Sequence, residues 1–204
     1  MKPIYFLCLL TFCLFGYGQE KEKDSLLNEI SLFQADQNHH YHDKETSPLK
    51  KKERRKFKGH HFYPVDLKYR VKASFEVISN PDTITMPTSA GTEKMFARYA
   101  KLSFELNGES CVLYAYQNLK VIKMEGYENS LFLPFTDATS GTETYGGGRY
   151  LDLEIPKEDK LVINFNLAYN PYCAYTTGWF CPVPPAENEL KVAVKAGLMK
   201  PEEH

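Results

Sequence analysis

The dipeptide Asn107-Gly108 constrains the fold of this chain more than any other feature, because alternating apolar and polar residues flank it on both sides. Asn-Gly is the preferred sequence for a two-residue turn between antiparallel strands. A turn at this point would pair residues 96–106 with residues 109–117 and would set Phe104 opposite Cys111. The sequence therefore predicts a β-hairpin in which Cys111 is a small core residue.

The same alternation recurs on both sides of the hairpin, and no long helical pattern interrupts it. Further strands are predicted at Lys68–Ser79, Leu119–Met124, Leu131–Phe135, Arg149–Ile155, Lys160–Leu167 and Leu190–Lys195. Short strands at short intervals are typical of antiparallel sheets that close into barrels or pack as sandwiches. We therefore predict a mainly β domain over residues 60–204, either an antiparallel barrel or a sandwich.

Before Gly59 the apolar residues follow helical spacing instead. They recur on one side of a helix that Asp24 or Ser25 could cap, and they are Leu26, Ile30, Phe33 and Tyr41. A basic run at residues 50–58 follows and is either a solvated linker or a site for anionic lipid or polyanion. Residues 19–59 are thus predicted to form one N-terminal amphipathic helix and a basic linker.

The first eighteen residues have the pattern of a secretory signal peptide. Lys2 precedes an apolar run from Ile4 to Phe15, and Gly16-Tyr17-Gly18 supplies small residues at a cleavage site before Gln19. The alternative is a lipoprotein signal with Cys13 as the lipidated residue. We expect residues 1–18 to be removed, the mature chain to be periplasmic or extracellular, and no segment of it to span a membrane.

The charge balance limits the classes of partner. The chain has 25 basic and 26 acidic residues and a net charge of −1, so no overall field attracts nucleic acid. The length suits one domain. The sequence leaves the oligomeric state open.

The stretch Tyr145-Gly146-Gly147-Gly148-Arg149 combines a glycine triplet with an arginine at the start of a predicted strand. It lacks the spacing of both G-x-G-x-x-G and P-loop nucleotide motifs. The glycines form either a tight bend or, with Arg149, an anion-binding corner. Because alternation puts Arg149 on the apolar face of its strand, we expect a carboxylate partner, with Asp137 first among the candidates.

Several polar residues could line a cavity beside this bend. Asp152 lies on the polar face of the strand after the glycines, and the next predicted strand carries Asn164 and Asn166 on one face. Tyr169 and Asn170 follow in the Asn-Pro-Tyr-Cys loop. These residues either form the polar wall of a binding site or belong to a wet outer face of the sheet.

Cys173 and Cys181 lie eight residues apart in a loop rich in proline, glycine and aromatic residues. In an exported protein this spacing favours a disulfide, which would leave Cys111 as a free thiol. Zinc is the alternative, but the histidines lie far upstream without finger-like spacing. We therefore expect no metal and no cofactor.

Enzymatic signals are sparse. No histidine occurs between His61 and His204, so a nucleophilic triad would have to recruit a histidine across the fold. A carboxylate pair, Asp137 with Asp152 or Glu187, could act as acid and base if the groups lay ~5 to 10 Å apart.

Three longer blocks resemble a known family: PFTDATSGTETYGGGRYLDL, INFNLAYNPYCAY and CPVPPAENELKVAVKAG. They are similar to the signature blocks of the bacterial and archaeal family called domain of unknown function 1684, and weaker matches lie near Ser47 and Tyr63. The resemblance implies no activity, because the family has none established. In that family's pattern an aspartate stands where this chain has Asn164, and an arginine stands where it has Leu167.

The sequence leaves three functional interpretations. The first is a secreted β-rich module that binds a small polar or sugar-like ligand, because interleaved aromatic rings, amides and a guanidinium suit such molecules. The second is a carboxylate-dependent hydrolase at the same place. The third is a structural envelope protein in which these blocks only lock loops together.

Overall fold

A computed structural model describes residues 5–202, with side chains from Glu20 to Glu202. Its centre is one antiparallel sheet of seven strands in the order β6-β5-β4-β3-β1-β7, with β2 paired to the first half of β3. The strands are β1 (Arg70–Val77), β2 (Thr83–Pro87), β3 (Glu93–Leu106), β4 (Glu109–Asn118), β5 (Ser130–Phe135), β6 (Arg149–Glu154) and β7 (Lys160–Asn164). The sheet curls into a half-barrel, which confirms the mainly β prediction.

The predicted hairpin is confirmed in its register. Phe104 faces Cys111, and Asn107 and Gly108 have φ angles of 53° and 84°, as the two-residue turn requires. A bulge between Arg98 and Ala100 divides β3. Before the bulge β3 pairs with β2 and after it with β1, so the bulge lets one long strand serve two partners.

Alternation along the strands produces two apolar layers on opposite faces of the sheet. The main core lies on the inner face and includes Leu102, Leu113, Leu131, Leu133, Ile163 and Phe165, all fully buried. A smaller cluster lies on the outer face and consists of Met86, Phe96 and Tyr116, with Ile84, Tyr114 and Phe132 packed against it. Two residues of this outer layer, Phe96 and Phe132, also line the cleft described below.

The N-terminal helix α1 spans Tyr5–His42, and a short helix α2 spans Lys51–Arg54. Ile30 and Tyr41 of α1 are buried, as the spacing predicts. Asn38 of α1 accepts a hydrogen bond from the backbone N–H of His60 at 2.7 Å, which fastens the helix to the segment that leads into the sheet.

The predicted cap at Asp24 or Ser25 is wrong, since α1 already begins at Tyr5. Residues 1–4 of the expected signal peptide lie outside the described residues. For residues 5–19 of that segment the structure describes the backbone but not the side chains. Within the described part of the chain, no helix carries an apolar stretch of the length needed to cross a bilayer.

Two predicted strands are wrong. The segment after β4 is a 3-10 turn at Val121–Lys123, because the Asn118 side chain accepts backbone N–H groups from Lys120 and Val121 and ends the strand. Residues 190–195 are irregular, although Leu190 donates a backbone hydrogen bond to Thr136.

The strand predicted at Lys160–Leu167 stops at Asn164, where its side chain accepts the N–H of Asn166 and starts a 3-10 turn, Phe165–Leu167. Asn164 and Asn166 therefore do not alternate along one strand face. Sequence reasoning also missed β2, whose polar and proline-containing segment gives little strand signal.

Candidate functional site: an aromatic cleft on the outer face of the sheet

A cleft of about 650 Å³ lies on the outer face of the sheet, between the strands and the loop after β7. We call it the aromatic cleft, because seven of its lining residues carry aromatic rings: Phe96, Phe132, Tyr150, Tyr169, Tyr172, Trp179 and Phe180. Four charged residues lie among them: Asp152, Glu93, Lys94 and Lys120. The cleft is thus a concave and mostly apolar site with a few polar groups, the usual character of a small-molecule site.

Strand pairing positions the floor of the cleft. Tyr150 and Asp152 point to the outer face of β6 by alternation, and Phe132 on β5 lies directly opposite Asp152. Tyr169 is joined to Tyr150 by two backbone hydrogen bonds of 2.9 and 3.0 Å, so it extends the sheet beside β6. Three segments far apart in sequence thereby place their side chains around one carboxylate.

The carboxylate of Asp152 has one partner among residues 20–202, the Tyr169 hydroxyl, which donates to Oδ2 at 2.8 Å. The side chain remains accessible to solvent, yet it lies inside a concave wall of protein. Partial desolvation raises the pKa of Asp152, and the Tyr169 hydrogen bond opposes that rise. Burial and the neighbouring Asp152 charge also raise the pKa of the Tyr172 hydroxyl.

A disulfide-closed loop forms the outer wall. Cys173 and Cys181 are bonded with a Cα–Cα distance of 6.3 Å, and Cys111 is free and buried, as predicted. Between the cysteines, Trp179 donates a hydrogen bond to the Pro48 carbonyl at 3.2 Å and packs on Tyr172 with ring centroids 4.7 Å apart. The wall is therefore fixed at both ends, and zinc has no free thiolates in this loop.

The far end of the cleft carries two lysines and one glutamate, Glu93, and so has a net positive charge. Lys94 on β3 and Lys120 after β4 line it, and burial together with the Lys120 charge lowers the pKa of Lys94. Asp152 lies three strands away, about 14 Å along the sheet at ordinary strand spacing. The cleft therefore has an acidic end at Asp152 and a net basic end, where Glu93 offsets one of the two lysine charges.

Arg149 lies outside the aromatic cleft, and its side chain is 0% exposed. Its guanidinium pairs with Asp137 at 2.8 Å, which confirms the predicted partner, and it also donates to the carbonyls of Val194, Ala196 and Leu198. Desolvation lowers the pKa of Arg149, and Asp137 opposes that effect. Arg149 therefore ties the C-terminal segment to β6 and is not exposed to a ligand.

The glycine triplet makes a bend that allows close approach. Gly148 has a φ of +83°, and a Cβ there would lie 2.7 Å from the Phe135 carbonyl oxygen. Gly146 and Tyr145 line a second cavity of about 550 Å³ beside α2. Gly146 and Gly147 are the central residues of a turn that is closed by a hydrogen bond from the Gly148 N–H to the Tyr145 carbonyl at 3.0 Å.

The structure does not bring the predicted site residues together on one cavity. Asp152 and Tyr169 lie in the aromatic cleft, and Asp152 also borders a crevice of about 190 Å³ with Asn164. Asn166 donates to the backbone carbonyl of Asp66, and Asn170 donates to the Tyr175 hydroxyl and the Met199 carbonyl. The buried amides thus hold neighbouring segments together.

Sequence reasoning missed the part of the cleft that comes from β3 and β5. Phe132 stands between two core leucines, so alternation puts it on the opposite face, and this was the available signal. Phe96 and Lys94 share that face on β3. Nothing in the sequence shows that the loop at 169–182 folds over these two strands.

Comparisons with known proteins agree with this architecture. A family model described as a protein of unknown function (DUF1684) matches residues 55–199. An uncharacterised protein of Haloarcula marismortui, solved in solution by NMR, is 32% identical with a TM-score of 0.70, and the match covers 91% of this chain and 100% of that chain. No functionally curated protein matches.

Proposed function

Because the chain belongs to the DUF1684 family of proteins of unknown function, we propose its function from the cleft itself: a binding module for a small polar, sugar-like ligand. The observation that carries this proposal is a set of aromatic rings held open around a carboxylate by a disulfide-closed loop. Trp179 and Phe180 in that loop are 40% and 51% exposed. Leaving such rings in water costs free energy that a bound ligand would recover.

The chemistry of the walls suits a compact polar molecule. Aromatic rings stack on the apolar faces of a sugar ring, while carboxylate and hydroxyl groups such as those of Asp152 and Tyr169 fix its orientation. The volume of about 650 Å³ lies within the usual range for a small-molecule site.

Hydrolysis is less well supported, because the expected carboxylate pairs are not assembled in the cleft. Asp137 is buried and paired with Arg149. Glu187 accepts hydrogen bonds from the Tyr116 hydroxyl and from Arg98. Asp137, the member shared by both expected pairs, is therefore held by Arg149 in the interior, whereas Asp152 lines the cleft.

We also propose that the protein works outside the cytoplasm, with Gln19 as its first residue after removal of a signal peptide. The Cys173–Cys181 disulfide supports this proposal, because such bonds persist in oxidising compartments. Mass spectrometry of protein recovered from a bacterial envelope or medium should give a mature chain that begins at Gln19. A lipid on Cys13, or an uncut chain, would contradict it.

Binding can be measured through the single tryptophan, because Trp179 lies in the cleft wall. A panel of free monosaccharides and amino sugars should include at least one compound that changes Trp179 fluorescence saturably. Tyr169→Phe should weaken that binding about fivefold or more, since it removes the hydroxyl that orients Asp152. Glu154→Gln is the matched control, because Glu154 is exposed on the same strand and does not line the cleft.

The proposal would be wrong if no panel member produced a saturable change. It would also be wrong if Tyr169→Phe and Glu154→Gln bound the best compound as well as the unaltered protein.

A further inference from the structure

The acidic end of the cleft contains a carboxylate with an open acceptor. Asp152 Oδ2 accepts from Tyr169, whereas no side chain or backbone group among residues 20–202 donates to Oδ1. No lysine, arginine or histidine in that part of the chain forms an ion pair with Asp152. A partly desolvated carboxylate without a cation is electrostatically unsatisfied, so a positive ligand group there would gain more than it would in water.

Aromatic rings surround this carboxylate on several sides. Phe132 lies opposite Asp152, and its ring packs edge-on to Tyr150 with centroids 4.7 Å apart. Tyr150 and Tyr169 pack at 89° with centroids 5.8 Å apart. Ring faces attract cations most strongly where water is excluded, so these rings and the carboxylate favour the same kind of group.

The two lysines argue against a ligand that is positive along its whole length. Lys94 and Lys120 lie at the opposite end of the cleft, where Glu93 offsets only one of their two charges, so the net positive charge there would repel a second cationic group. A positive group is therefore favoured at the Asp152 end alone. The open Oδ1 acceptor further favours a group with N–H donors over a quaternary ammonium.

We propose that the cleft recognises a ligand with a protonated primary amine, which binds Asp152 between the rings of Phe132, Tyr150 and Tyr169. This inference rests on the proposed binding function and specifies its ligand class. In a sugar-like ligand the group is the ammonium of an amino sugar. The ammonium donates to Oδ1, and the body of the ligand lies against Tyr172 and Trp179.

A matched set of sugars tests the amine requirement. Glucosamine, glucose and N-acetylglucosamine share a ring, and only glucosamine carries a cation at about pH 6.5. Isothermal titration calorimetry should give glucosamine about tenfold or greater preference over the two neutral sugars. The preference should shrink as salt is added, because it is electrostatic.

Two variants test whether Asp152 is the group that selects glucosamine over the neutral sugars. Asp152→Asn keeps the size of the side chain and should remove the preference for glucosamine, whereas Glu154→Gln should retain it. Circular dichroism should show both variants folded, because both side chains are solvent-accessible.

Benzylamine and benzyl alcohol form a second pair that separates the amine from the sugar ring. If benzylamine binds better than benzyl alcohol in an Asp152-dependent way while the sugars do not bind, the amine inference holds and the sugar-like part of the proposed function is wrong. Equal binding of glucosamine and glucose, or a preference that survives Asp152→Asn, overturns the amine inference and leaves the binding function in place. No binding of any of the five compounds overturns the amine inference, and the binding function is then wrong as well if no member of the sugar panel binds.

Discussion

Arg149→Ala should destabilise the protein by about 3–5 kcal/mol, because it strands a buried carboxylate and removes the donor from a set of buried carbonyls. The Arg149 and Asp137 side chains are both 0% exposed. The guanidinium also bonds the carbonyls of Val194 and Leu198 at 2.8 and 3.3 Å and lies 5.3 Å from the centre of the Phe135 ring. One side chain thereby joins β6, the Asp137 loop and the C-terminal segment.

The size of the expected loss of stability follows from the hydrogen bonds that Asp137 and the C-terminal carbonyls keep or lose in Arg149→Ala. Asp137 Oδ1 keeps three donors, from the backbone N–H and hydroxyl of Thr139 and the backbone N–H of Val194. Oδ2 loses its partner, and each buried carbonyl left unpaired costs about 1–3 kcal/mol before relaxation. Water that enters the space left by the side chain would bond some of these groups and reduce the total cost. We therefore expect the loss of about 3–5 kcal/mol that is typical of a broken buried ion pair, and not the sum of the individual costs.

Urea denaturation monitored by circular dichroism measures the effect. At an m value of about 3 kcal/mol/M, a loss of 3–5 kcal/mol moves the midpoint down by about 1 M or more. Arg98→Ala is the matched control, because Arg98 makes two ion pairs at the surface and should cost about 1 kcal/mol or less.

Arg149→Lys should fold and lose about half as much as the alanine variant, since it keeps the charge but not the fork of donors. This variant also keeps the test decisive if the alanine variant does not fold. A loss below about 1 kcal/mol for Arg149→Ala, or a loss equal to that of Arg98→Ala, would refute the reasoning.

Three further predictions concern pH, the disulfide and the glycine bend. Burial lowers the pKa of the His60 imidazole from 6.5 to about 4, so on acidification the unfolded chain takes up this proton before the folded chain does. The contribution of His60 to stability should therefore be complete above about pH 6.5, and the free energy of unfolding should fall by up to about 3 kcal/mol as the pH drops toward 4. Chemical denaturation across this range measures the loss, and His60→Phe should flatten it. Reduction of the Cys173–Cys181 bond should cost about 2.5 kcal/mol on the chain-entropy estimate, measured by denaturation with and without reductant, and should weaken binding in the cleft. Gly148→Ala should lower the thermal midpoint far more than Gly146→Ala, because Gly148 has a φ of +83° and a carbonyl 2.7 Å from the new Cβ, whereas the nearest atom to a Cβ at Gly146 is 3.4 Å away.

Each of these predictions has a result that contradicts it. A pH profile unchanged by His60→Phe would assign the acid sensitivity to other groups. If alkylation shows that the reductant has freed both thiols and the free energy of unfolding is unchanged, the disulfide does not stabilise the protein. Equal midpoints for the two alanine variants would show that the bend can relax.

The hairpin, the disulfide and the arginine pair could be predicted from the sequence because each depends on short-range geometry. Asn107-Gly108 sets the register of its own strands, and that register is the one observed. Cys173 and Cys181 are close along the chain, so their pairing needs little long-range information. Arg149 requires a partner wherever alternation buries it, and Asp137 is only twelve residues away.

The end of β7 shows where local pattern failed. Asn164 and Asn166 continue a strand alternation in the sequence, but Asn166 bonds to the backbone of Asp66, 100 residues away. The hydrogen bonds between the buried Asn166 amide and the Asp66 backbone stabilise the chain more than further strand pairing would. The chain therefore turns into a 3-10 helix after Asn164.

The aromatic cleft was decided by tertiary structure alone. Asp152 comes from β6, a ring of the floor from β5, the net basic end from β3 and the turn after β4, and the wall from the disulfide loop. Alternation determines which face of a strand each side chain occupies, and it did so correctly for Asp152. It carries no information on which strands become neighbours or which loop covers them. Those choices follow from burial of the whole inner core, to which the cleft residues contribute little, and so the site could be read only once the sheet was assembled.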